Sequence, residues 1–285
     1  MKKIHLAGLV LLVLIVIQVV QHADRGREKV EPMPETKLHS VQAGHNQLYR
    51  GNLLLVDQEH PVHEAGRLTD IVNVFEHPEL KRGYGLMDTT IALSKRVAEK
   101  WQVLVDAAGA DGIRHFVINS GYRDEEAQKE LYEEKGSDYA LPPGYSEHNL
   151  GLSMDIGSTE EEMGKAPEGK WLSKNAWKYG FILRYPKNKT DITGIQYEPW
   201  HFRYVGLPHS ALMHEHNWTL EEYLSALKEQ KTMTEAFDGV NYTVTYYPAA
   251  ASGETAISVP IEGAYTVSGD NADGIIVTAQ SGSGQ

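Results

Sequence analysis

Ser146-Glu147-His148-Asn149-Leu150-Gly151-Leu152-Ser153-Met154-Asp155-Ile156 runs from a polar loop into an apolar strand, and its reading decides the fold. His148 lies in the loop, Gly151 permits a tight bend, and Asp155 interrupts the apolar run Leu152, Met154, Ile156. A carboxylate in such a strand must be paired, hydrogen-bonded or ligated, because a bare charge away from water is prohibitively costly. Further along stands Glu198-Pro199-Trp200-His201, where Pro199 breaks any helix and puts Glu198 and His201 on a turn leading into a strand from Phe202 to Val205. Two histidines and one aspartate brought together by a sheet make a three-ligand site with an open fourth position, as in catalytic zinc centres, and leave Glu198 as a spare carboxylate. Taken singly, each histidine reads more often as an ordinary polar residue than as a ligand.

Outward from this stretch, apolar spacing predicts a short strand at Leu53 to Val56 and a helix over Met87 to Ala108, capped by Asp88 or Thr89 and stopped by Gly109. A strand at Arg114 to Asn119, a helix at Asp124 to Glu134, the strand Leu152 to Ile156 and a helix at Lys170 to Tyr179 follow. Strands at Phe181 to Arg184 and Phe202 to Val205 and helices at Pro208 to His216 and Thr219 to Gln230 close the region. Early helices and later strands on short connections predict an α+β fold with a central, mainly antiparallel sheet and flanking helices.

Residues 232–285 contain six acidic side chains and no Lys or Arg. Alternating runs at Tyr242 to Tyr247, Ala256 to Val259, Ala264 to Val267 and Ile275 to Ala279 suggest about four short strands, hence a small β appendage. A disordered tail is the other reading, and the end from Ser281 is expected to fray. All the candidate chemistry precedes Gly206, so the appendage is expected to be an independent spacer or partner site.

With 41% apolar and 23% charged residues the chain is globular in composition. Lys plus Arg at 27 against Asp plus Glu at 39 give a net charge of −12, which argues against nucleic-acid partners. The absence of cysteine excludes disulfides, thiolate metal sites and cysteine nucleophiles, so a metal must be held by His, Asp and Glu. Lys2 and Lys3 precede the apolar run Leu6 to Val20, which reads as a signal peptide or a short signal-anchor over residues 1–22. Either way the body is expected outside the cytoplasmic membrane, secreted to the cell wall or anchored, because the lysines stay inside. Residues 23–48, polar with Pro32 and Pro34, read as a linker, and residues 49–231 as the principal domain.

The pattern Ser-x-His-x-x-Gly-x-x-x-Asp at 146–155, with Glu-x-x-His at 198–201 and Ser120-Gly121-Tyr122-Arg123 upstream, resembles the VanY-type D-Ala-D-Ala carboxypeptidases, relatives of the VanX dipeptidases. The resemblance covers roughly Asn46 to Gln230, and three separated patterns in order make it specific. It implies one zinc ion held by His148, Asp155 and His201, Glu198 as catalytic acid/base, Arg123 beside the scissile carbonyl and Gln128 near the substrate terminus. It also implies the fold of the lysostaphin and hedgehog-like metallopeptidases, and peptidoglycan stem peptides as substrate. Removal of a terminal D-alanine, with a role in wall remodelling or glycopeptide resistance, is the implied activity. An L,D-carboxypeptidase or endopeptidase on the same scaffold, or a non-catalytic wall-binding domain, are the alternatives, and the intact Glu198 speaks against the last. Ser120 belongs to the upstream motif; Tyr122 packs on substrate or anchors the strand end; Trp200 is pocket wall or core; Ser146 is a donor to the substrate carboxylate or a turn hydroxyl. His209, His214 and His216 do not share one face, and His63-Glu64 lacks a second histidine at helical spacing, so neither group is read as a metal site.

Overall fold

The computed structural model describes residues 37–136 and 141–281. The expected amino-terminal segment 1–22, the linker up to residue 36 and the chain end after Ser281 lie outside the described residues. Among the described residues no helix is long and apolar enough to cross a membrane.

Strands β1 (Leu38–Ala43), β2 (Ile71–Asn73), β3 (Gly85–Leu86) and β4 (Ala92–Ser94) precede helix α1 (Lys95–Ala110). There follow β5 (Phe116–Ser120), α2 (Glu125–Lys135), β6 (Ser153–Ser158), α3 (Pro167–Asn175), β7 (Phe181–Leu183), α4 (Thr190–Thr193) and β8 (His201–Tyr204). Helices α5 (His209–His216) and α6 (Leu220–Gln230) lead to β9 (Thr232–Phe237), β10 (Val240–Pro248), β11 (Thr255–Pro260), β12 (Tyr265–Gly269) and β13 (Gly274–Ser281).

The central sheet has the order β3-β5-β6-β8-β7, antiparallel except for the β3–β5 pair, so the α+β expectation holds. Alternation along β6 sends Met154 and Ile156 into a core shared with Trp101 of α1, Phe116 and Phe181, and turns Ser153 and Asp155 to the other face. Register then does the positioning: Asp155 lies opposite Ser120 on β5 and opposite His201 on β8. Residues far apart in sequence thus form one row across three strands.

Helix α1 starts later than its apolar spacing suggests. Ser94, not Asp88 or Thr89, is the N-cap and accepts from the Val97 amide, while Asp88 instead closes a turn on Thr90. Ile91 and Leu93 are buried ahead of the helix, Leu93 in a strand that pairs with β2, and they happen to match the helical repeat. The helix expected at Lys170 to Tyr179 is likewise shared between α3 and a 3-10 turn, Ala176–Tyr179.

Two further expectations are corrected. Leu53 to Val56 is not a strand; its backbone is held by the carboxy-terminal region, Leu53 N by Ser268 Oγ (3.0 Å) and Leu55 N by Asp270 O (2.9 Å). Nor are residues 38–48 linker, since β1 pairs antiparallel with β11, Leu38 opposite Pro260 and Ala43 opposite Thr255. Val41 and Ala43 cover Ile257 and Val259, an apolar pair more than 200 residues away whose existence the short polar sequence of β1 does not announce.

The expected independent appendage is in fact packed into the body. Five strands occupy residues 232–281, and the sheet β12-β13-β10-β9 places Val244, Tyr246 and Ile276 against Leu212 and Met213 of α5 and Tyr223, Leu224 and Leu227 of α6. His209 ties this junction together, with Nδ1 2.7 Å from Tyr223 Oη and Nε2 3.1 Å from Thr278 Oγ1. Burial pushes its pKa down to about 3, so it folds as the neutral ring. Between that value and the ordinary pKa of about 6.5, the unfolded chain binds a proton that the folded chain does not, so stability rises with pH by up to about 1.4 kcal/mol per pH unit. Urea unfolding of His209→Gln should therefore show a shallower loss of stability from pH 6.5 to 4 than the unsubstituted protein. Parallel pH profiles would mean that His209 is not protonated on unfolding in this range.

Candidate metal and substrate site

The loop before β6 folds as a 3-10 turn, Glu147–Leu150, capped by Ser146 and ended by Gly151 in the left-handed region (φ 82°). The positive φ is what calls for glycine, since a Cβ there would meet only the tip of the Ile71 side chain at 2.9 Å, which can turn aside. The turn presents His148 to Asp155, with Nε2 3.4 Å from Oδ2, while Nδ1 donates to the Gly121 carbonyl (2.6 Å). A carbonyl can only accept, so the Nδ1 proton is fixed and Nε2 keeps its lone pair toward Asp155. His201 is held the other way round. Its Nε2 faces the buried Glu147 Oε2 at 3.3 Å, and its Nδ1 lies 3.2 Å from Asp155 Oδ1 and 3.6 Å from Glu198 Oε2.

One ligand atom each from His148, Asp155 and His201 fall within 4.8 Å of one another, the arrangement expected from the sequence. Buried Asp155 Oδ1 receives no hydrogen bond although His201 Nδ1 is beside it. Asp155 Oδ1 and His201 Nδ1 stand 3.2 Å apart with His148 Nε2 beside them, a gap that takes either a proton on His201 or a cation in its place, and the nitrogen and oxygen donor set suits a zinc ion. The charges agree. Burial disfavours ionised Asp155, but His148 and His201 overcome it and hold the carboxyl far below its usual range. Burial lowers the pKa of His148, which stays neutral. For His201 the burial cost is outweighed by Asp155 and Glu147, which push its pKa up to about 9, so this end of the site attracts positive charge.

Glu198 sits at the edge of the cluster, its amide bound to Tyr185 O (3.1 Å). Burial raises its pKa, His201 opposes, and Asp155 and Glu147 reinforce, tuning the carboxyl toward proton exchange nearer neutrality. Arg123 is aimed by its own surroundings: Nε donates to Gln128 Oε1 (2.9 Å) and Nη1 to Ser120 Oγ (2.8 Å), while Nη2 has no partner among the described residues. Burial lowers its pKa, and the charges of Asp155 and Glu198 oppose that.

Gln128, expected near the substrate terminus, is 1% exposed and donates its amide to Leu141 O (2.6 Å). Both ends of its amide are engaged inside the chain, one of them by Arg123. Gln128→Ala should lower kcat/KM by roughly 10-fold through kcat, since an oxyanion donor is loosened. A rise in KM with kcat intact would instead return Gln128 to the substrate terminus. Ser146 is buried and accepts weakly from the His148 amide, yet donates its own proton to nothing among the described residues, so it remains an available donor. Trp200 is 41% exposed and so is not core. Tyr122 is partly exposed, with its amide on Ala92 O (2.7 Å) beneath it. His63 stacks on Tyr49 and His214 on Trp177, away from this cluster.

Sequence reading missed the support beneath the site. Glu147 is fully buried; Oε1 accepts from Arg184 Nε (2.8 Å) and Arg203 Nη1 (2.6 Å), and Oε2 from Ser153 Oγ (2.9 Å). Despite the burial, Arg203 and Arg184 hold its carboxyl well below the usual range, so it is a fixed anion behind His201. Tyr185 lies against the His201 ring, with centroids 5.0 Å apart. The signal was available: Arg184 follows the apolar Phe181-Ile182-Leu183 and Arg203 sits between Phe202 and Tyr204, as Asp155 does in its own strand.

Residues 90–207 match the family model described as VanY, D-alanyl-D-alanine carboxypeptidase. The chain is 55% identical over 237 residues to a D-alanyl-D-alanine carboxypeptidase of Enterococcus faecium, covering 83% of this chain and 78% of that one. Among solved structures it is similar to the vancomycin resistance D,D-dipeptidase VanXYg in complex with a D-Ala-D-Ala phosphinate analogue, at TM-score 0.74 and 30% identity over 86% of this chain and 99% of the other. That span exceeds what residues 49–231 can supply, so the likeness extends beyond the expected peptidase domain. A variant of the D,D-pentapeptidase VanY from a VanB-type resistance cassette, in complex with Zn(II), matches at TM-score 0.51 and 32% identity over 61% of this chain and 98% of the other.

Proposed function

Since this chain belongs to the VanY family of D-alanyl-D-alanine carboxypeptidases, we propose that it removes the terminal D-alanine from peptidoglycan stem pentapeptides using one zinc ion between His148, Asp155 and His201. The observation that carries this reading is the buried Asp155 Oδ1 facing His201 Nδ1, with the Glu198 carboxylate 3.6 Å from the same nitrogen. Zinc held there supplies Lewis acidity to the scissile carbonyl and acidifies water. Glu198 takes the proton of the attacking water and delivers it to the departing D-alanine amine. Arg123 Nη2, the free end of an otherwise fastened guanidinium, takes up the charge developing on the carbonyl oxygen. Ser146 donates to the terminal carboxylate, which needs partners in place of its lost water.

The reaction is proposed to take place outside the cytoplasmic membrane, supported by the basic and apolar start of the chain, and to trim precursors that glycopeptides bind, supported by the resistance enzymes it resembles. Mass spectrometry of muropeptides tests the chemistry. A free-acid pentapeptide should lose one alanine, its amidated counterpart should be cut far more slowly, and a chelator should abolish the reaction until zinc is restored. Cleavage of tetrapeptide in preference to pentapeptide would establish the L,D alternative, and full turnover after chelation would dismiss the metal.

A further inference from the structure

The imidazole of His201 is held from behind as well as from its own strand. Its Nε2 stands 3.3 Å from Oε2 of Glu147, and a carboxylate can only accept, so Nε2 carries the proton and Nδ1 is the nitrogen left for a cation. Glu147 is pinned in turn through its other oxygen, where Oε1 accepts from Arg184 Nε (2.8 Å) and Arg203 Nη1 (2.6 Å). Glu147 and Arg184 are 1% exposed and Arg203 is fully buried. The Arg184 amide also donates to the His201 carbonyl (3.1 Å), so Arg184 touches this residue through the backbone and, by way of Glu147, supports its ring.

Neither arginine ends there. Arg184 grips Glu221 of α6 as a fork, Nη1 3.0 Å from Oε2 and Nη2 2.7 Å from Oε1, and Arg203 Nη2 donates to the carbonyls of Asn52 (3.0 Å) and Leu54 (2.9 Å). Both anchors lean on the carboxy-terminal strands: α6 packs on Val244, Tyr246 and Ile276, and Leu53 and Leu55 are tied to Ser268 and Asp270. The chain after Thr232 thus reaches His201 through two arginines, although none of the three clustered ligands comes from it. The charges make the outer contact matter. Two guanidiniums lie behind a site suited to a dication, and Glu147 offsets only one of them; Glu221 offsets the other and, as a bidentate partner, fixes the plane of Arg184. Without Glu221 an excess positive charge would stand behind His201 in a nearly dry interior, where like charges repel more strongly than in water.

We infer that Glu221 and Arg184 are positioning residues for His201, a line of contacts from α6 through Glu147 that sets the affinity of the site for zinc. The inference rests on the proposed zinc site and deepens it. It gives α6, and the carboxy-terminal sheet packed on it, a part in the reaction without any contact with substrate.

Competition for zinc between the whole chain and a chromophoric chelator tests this. Glu221→Gln keeps the shape and one acceptor oxygen, at a side chain that is 16% exposed, and removes only the charge. It should weaken zinc binding about 10-fold, the scale on which a support behind a ligating histidine acts. The visible absorption of cobalt(II) bound in the same site, which reports ligand geometry, should change with it. Glu222→Gln is the control, because it alters the neighbouring contact with Lys189 (2.8 Å) on the same helix, which leads to no metal ligand, and it should leave affinity and spectrum as they were. Zinc bound by Glu221→Gln as tightly as by the unsubstituted protein would overturn the inference, as would an unchanged cobalt spectrum. Equal weakening in Glu222→Gln would also overturn it, by showing a general loosening of α6. Failure of the unsubstituted protein to take up zinc would overturn the proposed site itself, and this inference with it.

Discussion

Glu198→Gln is expected to keep its fold and its zinc while kcat falls by a factor on the order of 10² to 10⁴, the usual worth of a positioned acid/base. The carboxyl is close enough to the cluster to serve, with Oε2 3.6 Å from His201 Nδ1, and too far to be counted among its ligands. Burial raises its pKa and the neighbouring carboxylates of Asp155 and Glu147 add to the rise, which brings proton uptake and release closer to working pH. The amide variant preserves shape and cannot carry the proton. Single-turnover kinetics with metal content measured on the same sample separates the two roles: turnover near that of the unsubstituted enzyme would dismiss Glu198 as base, whereas loss of zinc would make it a ligand.

A chain ending at Lys231 is expected to lose cooperative unfolding altogether. Truncation removes Met233, Val244, Tyr246 and Ile276 and uncovers Leu212, Tyr223, Leu224 and Leu227 on α5 and α6. At about 1.5 to 3 kcal/mol for each large apolar side chain returned to water, four such losses rival the roughly 5–15 kcal/mol that stabilise a typical protein. Leu53 N and Leu55 N lose Ser268 and Asp270, β1 loses its partner β11, and His209 loses Thr278. Circular dichroism melts of the two chains decide the matter. An equally sharp transition in the shortened protein would show that residues 38–231 suffice, as the independent-appendage reading supposed.

Local sequence determined what repeats locally. Asp155 in an apolar strand, Gly151 at a turn with a left-handed backbone, and Pro199 between Glu198 and His201 carried the metal ligands and the base, because each residue conflicts with its own neighbours unless chemistry explains it. Most strand and helix types followed from periodicity for the same reason, except that Leu53 to Val56 is no strand and the α1 boundary was misplaced where Ile91 and Leu93 matched the helical repeat by accident. Tertiary structure alone decided the partners. Which imidazole nitrogen faces Asp155 depends on Gly121 O for His148 and on Glu147 for His201, atoms delivered by strand register. The amide of Gln128 is engaged from both sides, by the Arg123 side chain and by the chain at Leu141, contacts that its sequence neighbours do not announce. The strand β1 exists only because β11, more than 200 residues later, offers Ile257 and Val259 for Val41 and Ala43 to cover, and no window of sequence short enough to read contains both.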